Sequence, residues 1–77
     1  MKEYDVTVVM HIDENLTDSQ IHQLEHDLAY SPGIRSACVN ERTRHLMLVD
    51  YDPQQAYASD ILNTVKYQGY HAELIGF

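Results

Sequence analysis

Histidine is the residue type in this chain best suited to binding a metal ion. Five histidines occur among the 77 residues, and imidazole is the commonest protein ligand for zinc, nickel, cobalt and copper(II) ions. His11 is followed closely by Asp13 and Glu14, whose carboxylates are further candidate ligands, whereas His71 lies far along the chain. A set of imidazole and carboxylate ligands favours borderline divalent ions over soft Cu(I).

A single cysteine, Cys38, narrows the possible chemistry. It cannot form a disulfide within the chain, and no second thiol is present to build a dithiolate metal site or a redox centre. The sequence also shows no serine or cysteine with an evident base and no glycine-rich phosphate loop. We therefore expect this domain not to be an enzyme.

The charge balance argues against a function in nucleic-acid binding. Twelve acidic residues against five basic ones give a formal net charge of −7, which opposes binding to the phosphate backbone of a nucleic acid. The sequence shows no apolar run of about 18 residues and no basic segment followed by an apolar stretch near Met1. We therefore expect a cytoplasmic protein.

Four strands are predicted to position the candidate ligands. Residues alternate between apolar and polar, or form short apolar runs, in the ranges 4–12, 34–40, 45–51 and 71–77, a pattern typical of strands. Polar residues 40–44 predict a hairpin between the second and third strands.

Two helices are predicted between these strands. Thr17 and Gln20 form a capping box ahead of a helix over 18–30, and Ser31-Pro32-Gly33 is the signal that terminates it. Ser59 is predicted to cap a second helix, which ends at Gly69. The βαββαβ order predicts an α+β, ferredoxin-like fold, with one domain over 1–77, a four-stranded antiparallel sheet in the order 4-1-3-2, and both helices on one face.

This topology places three histidines at one end of the sheet. His11 closes the first strand, His45 opens the third and His71 opens the fourth, and His11 and His71 are expected to point to the uncovered face, where they can approach each other. We predict a metal site formed by His11, His71, Asp13 and Glu14. His45 shares the parity of core-facing residues, so it joins only if the strand end frays. The alternative is that these are ordinary solvent-facing residues at strand ends.

Two other features have a functional and a structural interpretation. His22 and His26 are spaced i, i+4 on the polar side of the first helix and can chelate a divalent ion, for which a third ligand such as Glu25 would be needed. The alternative is that they belong to an ordinary exposed face of an amphipathic helix. The uncovered sheet face is unusually apolar and is expected to expose Leu46, Leu48, Val9 and Cys38. It is either a docking or homodimer face or ordinary exposed apolar surface.

Nearly the whole chain resembles the heavy-metal-associated domains of copper chaperones, mercury-binding proteins and the N-termini of metal-transporting P-type ATPases. The resembling residues keep their order and spacing along the chain: Val8 and Met10; Pro32-Gly33-Ile34; Ala37, Val39 and Asn40; Val49, Tyr51, Asp52 and Pro53; Gly69-Tyr70; Ala72 and Leu74. The resemblance implies the same ferredoxin-like fold and a role in metal homeostasis.

The metal-binding motif is where the chain departs from that family. Family members carry Met-X-Cys-X-X-Cys where this chain reads Met10-His11-Ile12-Asp13-Glu14-Asn15. An alignment counted back from Gly33 places Thr17 and Gln20 at the cysteine positions instead. Under both alignments, binding of Cu(I) or Hg(II) by two thiolates is excluded.

The resemblance and the ligand types together predict a metal-trafficking or metal-sensing domain for Co(II), Ni(II) or Zn(II). The domain would act alone or as the N-terminal part of a transport ATPase, with a membrane metal transporter or another domain of the same fold as its partner. The alternative is a metal-free docking or dimerisation module that acts through the open sheet face.

Overall fold

The computed structural model describes residues 5–76, so the predicted places of Tyr4 in the first strand and Phe77 in the last lie outside the described residues. The elements, in chain order, are β1 (Val6–Ile12), α1 (Asp18–Ala29), β2 (Ile34–Val39), β3 (Leu46–Tyr51), α2 (Ala58–Tyr67) and β4 (Ala72–Gly76). The strands form one antiparallel sheet in the order β2-β3-β1-β4. This confirms the predicted fold class and the predicted strand order.

The core lies between one face of the sheet and the two helices. Along the central strands β1 and β3, every second side chain is buried, because successive side chains of a strand point to opposite faces. The helices contribute the apolar positions that recur at helical spacing. The fully buried large side chains of this core are Val8, Met10, Ile12, Leu24, Leu28, Met47, Val49 and Val65.

The capping box predicted for α1 is present. The backbone N–H of Gln20 donates to Oγ1 of Thr17 at 3.2 Å, and the backbone N–H of Thr17 donates to Oε1 of Gln20 at 2.8 Å. These reciprocal hydrogen bonds satisfy two backbone donors that the first helical turn leaves unpaired. The helix therefore begins where the sequence placed it.

The predicted cap of α2 is wrong. Ser59 lies inside the helix, and the N-cap is Tyr57, whose side chain makes no capping hydrogen bond. The helix begins early because the carbonyl oxygen of Asp52 accepts from Gln55 N and Ala56 N, forming a tight turn directly before Tyr57. The other described element ends coincide with the predicted ones or lie within two residues of them, which is the usual spread at such boundaries.

Within the described part of the chain, neither helix is long and apolar enough to cross a membrane.

Gly33 joins α1 to the sheet at a crowded point. Its carbonyl oxygen accepts from Asp52 N at 2.8 Å, and its φ of +84° lies in the left-handed region. A Cβ atom at this position would lie 2.9 Å from Cβ of Gln55 and 3.0 Å from Cβ of Ala56. Gly69 also has a positive φ, +98°, but an added Cβ would have no neighbour within 4 Å.

These two glycines provide a matched pair of substitutions. Gly69→Ala is expected to lower the free energy of unfolding by about 1–2 kcal/mol, the cost of left-handed backbone for an L-residue. Gly33→Ala is expected to cost roughly 1–3 kcal/mol more, because the added methyl group also overpacks its surroundings. Urea unfolding followed by far-ultraviolet circular dichroism measures both losses. Equal losses of stability in the two variants would contradict the expectation that crowding around Gly33 adds to the cost.

Candidate metal centre at one end of the sheet

Backbone hydrogen bonds hold three chain segments together at one end of the sheet. The N–H of Ile12 donates to the carbonyl oxygen of His45 at 2.8 Å, and the N–H of Asp13 donates to that of His71 at 2.8 Å. Both bonds continue the pairing of β1, which lies between β3 and β4. His11, His45 and His71 are therefore collected at this end by the sheet itself.

His45 turns toward His11, which the sequence allowed only if the strand end frayed. β3 begins at Leu46, so His45 lies outside the strand and is released from its alternation. The imidazole rings of His11 and His45 stack with their centroids 5.8 Å apart and an interplanar angle of 19°. The structure therefore adds His45 to the candidate site residues.

The His45 ring is held by a backbone carbonyl. Its Nδ1 lies 2.7 Å from the carbonyl oxygen of Ile12. A carbonyl can only accept a hydrogen bond, so Nδ1 carries the proton, and in the neutral ring Nε2 keeps a free lone pair. Ligating histidines typically have this arrangement, with the second nitrogen bonded to a carbonyl or carboxylate.

The two candidate carboxylates each face a histidine. Asp13 Oδ1 lies 3.2 Å from Nδ1 of His11. Glu14 contacts His71 twice, since its Oε1 accepts from the backbone N–H at 2.9 Å and its Oε2 lies 2.7 Å from Nδ1 of the ring. Both carboxylates therefore occupy the position of groups that orient an imidazole.

Glu14 and His71 shift each other's titration. The side-chain hydrogen bond from Glu14, followed by its negative charge, raises the pKa of His71 above its ordinary value of 6.5. The same side-chain hydrogen bond, followed by the one from the backbone N–H of His71, lowers the pKa of Glu14 below its ordinary 4.5. Both shifts favour the charged pair over the neutral one.

The side chains of the predicted ligands do not all converge on one point. Among the described residues, His11 and His71 share no hydrogen bond and no ring contact, and His71 is hydrogen-bonded to Glu14 instead. Among residues 5–76, no three histidine, cysteine or acidic groups converge on a point that a metal ion could occupy. The predicted set is thus gathered at one end of the sheet, but its side chains are not arranged around a common centre.

The positions aligned with cysteines in the shifted alignment serve another purpose. Thr17 and Gln20 hydrogen-bond to each other's backbone and cap α1. On the same helix, Oε2 of Glu25 accepts from the backbone N–H of Val39 at 3.0 Å. Glu25 therefore ties α1 to the end of β2 and is not the third ligand considered for His22 and His26.

The uncovered sheet face carries a row of apolar side chains next to a row of polar side chains. Cys38 pairs with Leu48, and Leu48 pairs with Val9, so their side chains form a row across three strands. Cys38 is exposed, Leu48 is 38% exposed, and Ile75 on β4 is 51% exposed. Beside this row, the hydroxyl groups of Thr7 and Ser36 donate to the carboxylate of Asp50.

Solved structures share this fold over most of the chain. The N-terminal domain of a potential copper-translocating P-type ATPase from Bacillus subtilis, in its Cu(I)-loaded state, is 26% identical with a TM-score of 0.81, over 91% of this chain and 86% of that one. A copper-binding domain from the P-type ATPase HMA7 is 18% identical with a TM-score of 0.81, over 91% of this chain and 93% of that one. The chain has the heavy-metal-associated fold without its Cys-X-X-Cys motif.

A third solved structure has the same fold at a lower sequence identity. Oxidised MerP from Ralstonia metallidurans CH34 is 13% identical to this chain with a TM-score of 0.79, over 91% of this chain and 96% of that one. No family model matches the sequence, and no curated protein matches it. The likeness to these domains is therefore a likeness of backbone fold.

The pairing of Glu14 and His71 gives a prediction for the metal-free protein. Glu14→Gln removes the principal cause of the raised pKa of His71, so that pKa is expected to fall toward 6.5. Asp13→Asn is the matched control, because Asp13 is the smallest of the causes that raise it. A titration of the His71 ring signals by nuclear magnetic resonance measures both changes. Equal changes in the pKa of His71 in the two variants would contradict the conclusion that Glu14 is the main cause of its raised pKa.

The direction of each shift also fixes the pH window of the pair. The stability contribution of His71 is fully present below its unfolded pKa of 6.5 and is lost as the pH rises through the raised folded pKa. The contribution of Glu14 is present above its unfolded pKa of 4.5 and is lost as the pH falls through the lowered folded pKa. The Glu14–His71 pair therefore stabilises the folded protein most between about pH 4.5 and 6.5.

Proposed function

We propose that this domain traffics or senses a borderline divalent transition metal, Co(II), Ni(II) or Zn(II), which it binds at the sheet end. It would act alone or as the N-terminal part of a metal-transporting P-type ATPase, on the cytoplasmic side of the membrane. A membrane metal transporter or another domain of this fold would be its partner. This is a carrier role and involves no catalysis.

The observation that carries the proposal is the collection of imidazoles and carboxylates by the pairing of β1 with both neighbours. The proposed ligands are His11 and His71, with Asp13 and Glu14 in the same site, and His45 joins them on the evidence of its stacking against His11. The similar domain from Bacillus subtilis belongs to a potential copper-translocating P-type ATPase, and the similar domain of HMA7 is described as copper-binding. Here one cysteine cannot supply two thiolates, so the ligand chemistry shifts toward divalent ions.

Metal binding at this end requires side chains to rotate, because no three groups among the described residues share a centre. The side chain of His71 is 81% exposed and that of Asp13 is 68% exposed. Exposed side chains change rotamer within nanoseconds. A divalent ion would also be attracted by the net charge of −7.

The test is a titration of the metal-free protein with Zn(II), Co(II) and Ni(II), each followed by proton–nitrogen correlation spectra. It uses the variant His22→Gln/His26→Gln, so that the histidines of α1 cannot contribute. We expect saturable shifts confined to residues 11–15, 45 and 69–72. Adding His11→Gln or His71→Gln is expected to weaken binding by about tenfold or more. An absence of saturable shifts in these segments would overturn the proposal.

A second candidate function rests on the open sheet face. The exposed fractions of Leu48 and Ile75 and the apolar row through Cys38 favour a docking or dimerisation module. In this function the domain carries no metal, and its association does not depend on imidazole ligands.

Sedimentation of the metal-free protein distinguishes this candidate. Self-association through the open face is expected to raise the average mass with concentration, and Leu48→Lys is expected to abolish the rise, because it places a charge in the apolar row. Ser59→Lys, on an exposed position of α2, is the control and should leave association unchanged. A monomer at all concentrations would remove the homodimer from consideration.

A further inference from the structure

The exposed side of α1 carries a pair of imidazoles away from the sheet end. His22 and His26 lie four residues apart within the helix over Asp18–Ala29, and both are exposed. At this spacing, side chains lie on one face, with Cβ atoms roughly 5–6 Å apart. Both rings line one shallow depression together with Ser19 and Gln23.

Contacts within the helix restrict the position of His26. Its ring meets that of Tyr30 edge to face, with centroids 4.5 Å apart and an interplanar angle of 75°. Its Nδ1 also lies 3.8 Å from a carboxylate oxygen of Asp27. The ring contact with Tyr30 limits the rotamers open to His26, so less conformational entropy is lost when a ligand binds.

The acidic neighbours of the pair already have partners. Asp18, one turn before His22, accepts from Nη2 of Arg44 at 2.8 Å, an interaction that lowers the pKa of Asp18. Asp27 accepts from Gln23 and Gln68 at 2.9 and 3.1 Å. The depression therefore offers a metal ion the two imidazoles and no uncommitted carboxylate from these two residues.

The run from His22 to His26 also has the order His-X-X-Glu-His, which some zinc enzymes use with the glutamate as a catalytic base. Here Glu25 accepts a hydrogen bond from Val39 N on β2. It serves the packing of α1 against the sheet and is withdrawn from the exposed face. The arrangement supports binding without hydrolysis.

We propose that His22 and His26 form a second metal site, a two-imidazole clamp on α1 that binds Ni(II) or Cu(II), with water at the remaining coordination positions. These ions accept tetragonal nitrogen ligation and bind imidazole more tightly than the earlier divalent metals of their row. The site is separate from the sheet end and does not depend on the proposed function.

The test is calorimetric titration with Ni(II), combined with amide spectra that locate the bound ion. It uses the variant His11→Gln/His45→Gln/His71→Gln, which removes the three imidazoles of the sheet end, so that failure of the sheet-end site leaves the result intact. We expect one saturable event per chain, with shifts confined to residues 18–30. Replacing His22 or His26 with Gln is expected to weaken binding by about tenfold or more.

A register control separates the clamp from independent histidines. The variant Gln23→His/His26→Gln keeps the number of histidines on α1 but places them at i, i+1, where the rings diverge. Circular dichroism checks that the helix is intact. We expect this variant to bind as weakly as the single substitutions. Binding as tight as that of the parent variant would overturn the proposal, since each histidine would then act alone.

Discussion

The fold depends on the position of β1 between β3 and β4. A strand in that place uses its backbone hydrogen bonds on both sides and buries most of one face, as Val8, Met10 and Ile12 show. It also fixes which loops meet at each end of the sheet. The bonds from Ile12 to His45 and from Asp13 to His71 are the last of this pairing, and they join segments that lie far apart in the chain.

The end of the sheet where the candidate site lies is held by a network of hydrogen bonds and ion pairs. His45 is held by the carbonyl of Ile12, His11 lies beside Asp13, and His71 is held by Glu14. The network joins the segment after β1 to the starts of β3 and β4 through contacts between opposite or complementary groups. A metal ion bound as proposed would have to compete with Glu14 for the ring of His71.

Much of the fold was predictable because its signals are local. The period of two in β1 and the capping box of Thr17 and Gln20 involve residues close in sequence, and both are found in the structure. The start of α2 was missed because the turn at Asp52, rather than the hydroxyl of Ser59, determines it. Alternation along the predicted third strand gave His45 the parity of the core-facing residues. In the structure β3 begins at Leu46, so His45 lies outside the strand and its ring stacks on that of His11.

The sequence by itself determined the element order, the core positions, the absence of a thiolate pair and the presence of histidines at strand ends, because each follows from residue type and spacing. Tertiary structure alone decided which groups face one another. It paired Glu14 with His71, stacked His45 on His11 and committed Glu25 to Val39. Such pairings depend on side-chain rotamers and on the exact ends of strands, which vary by a residue without any change in the sequence pattern.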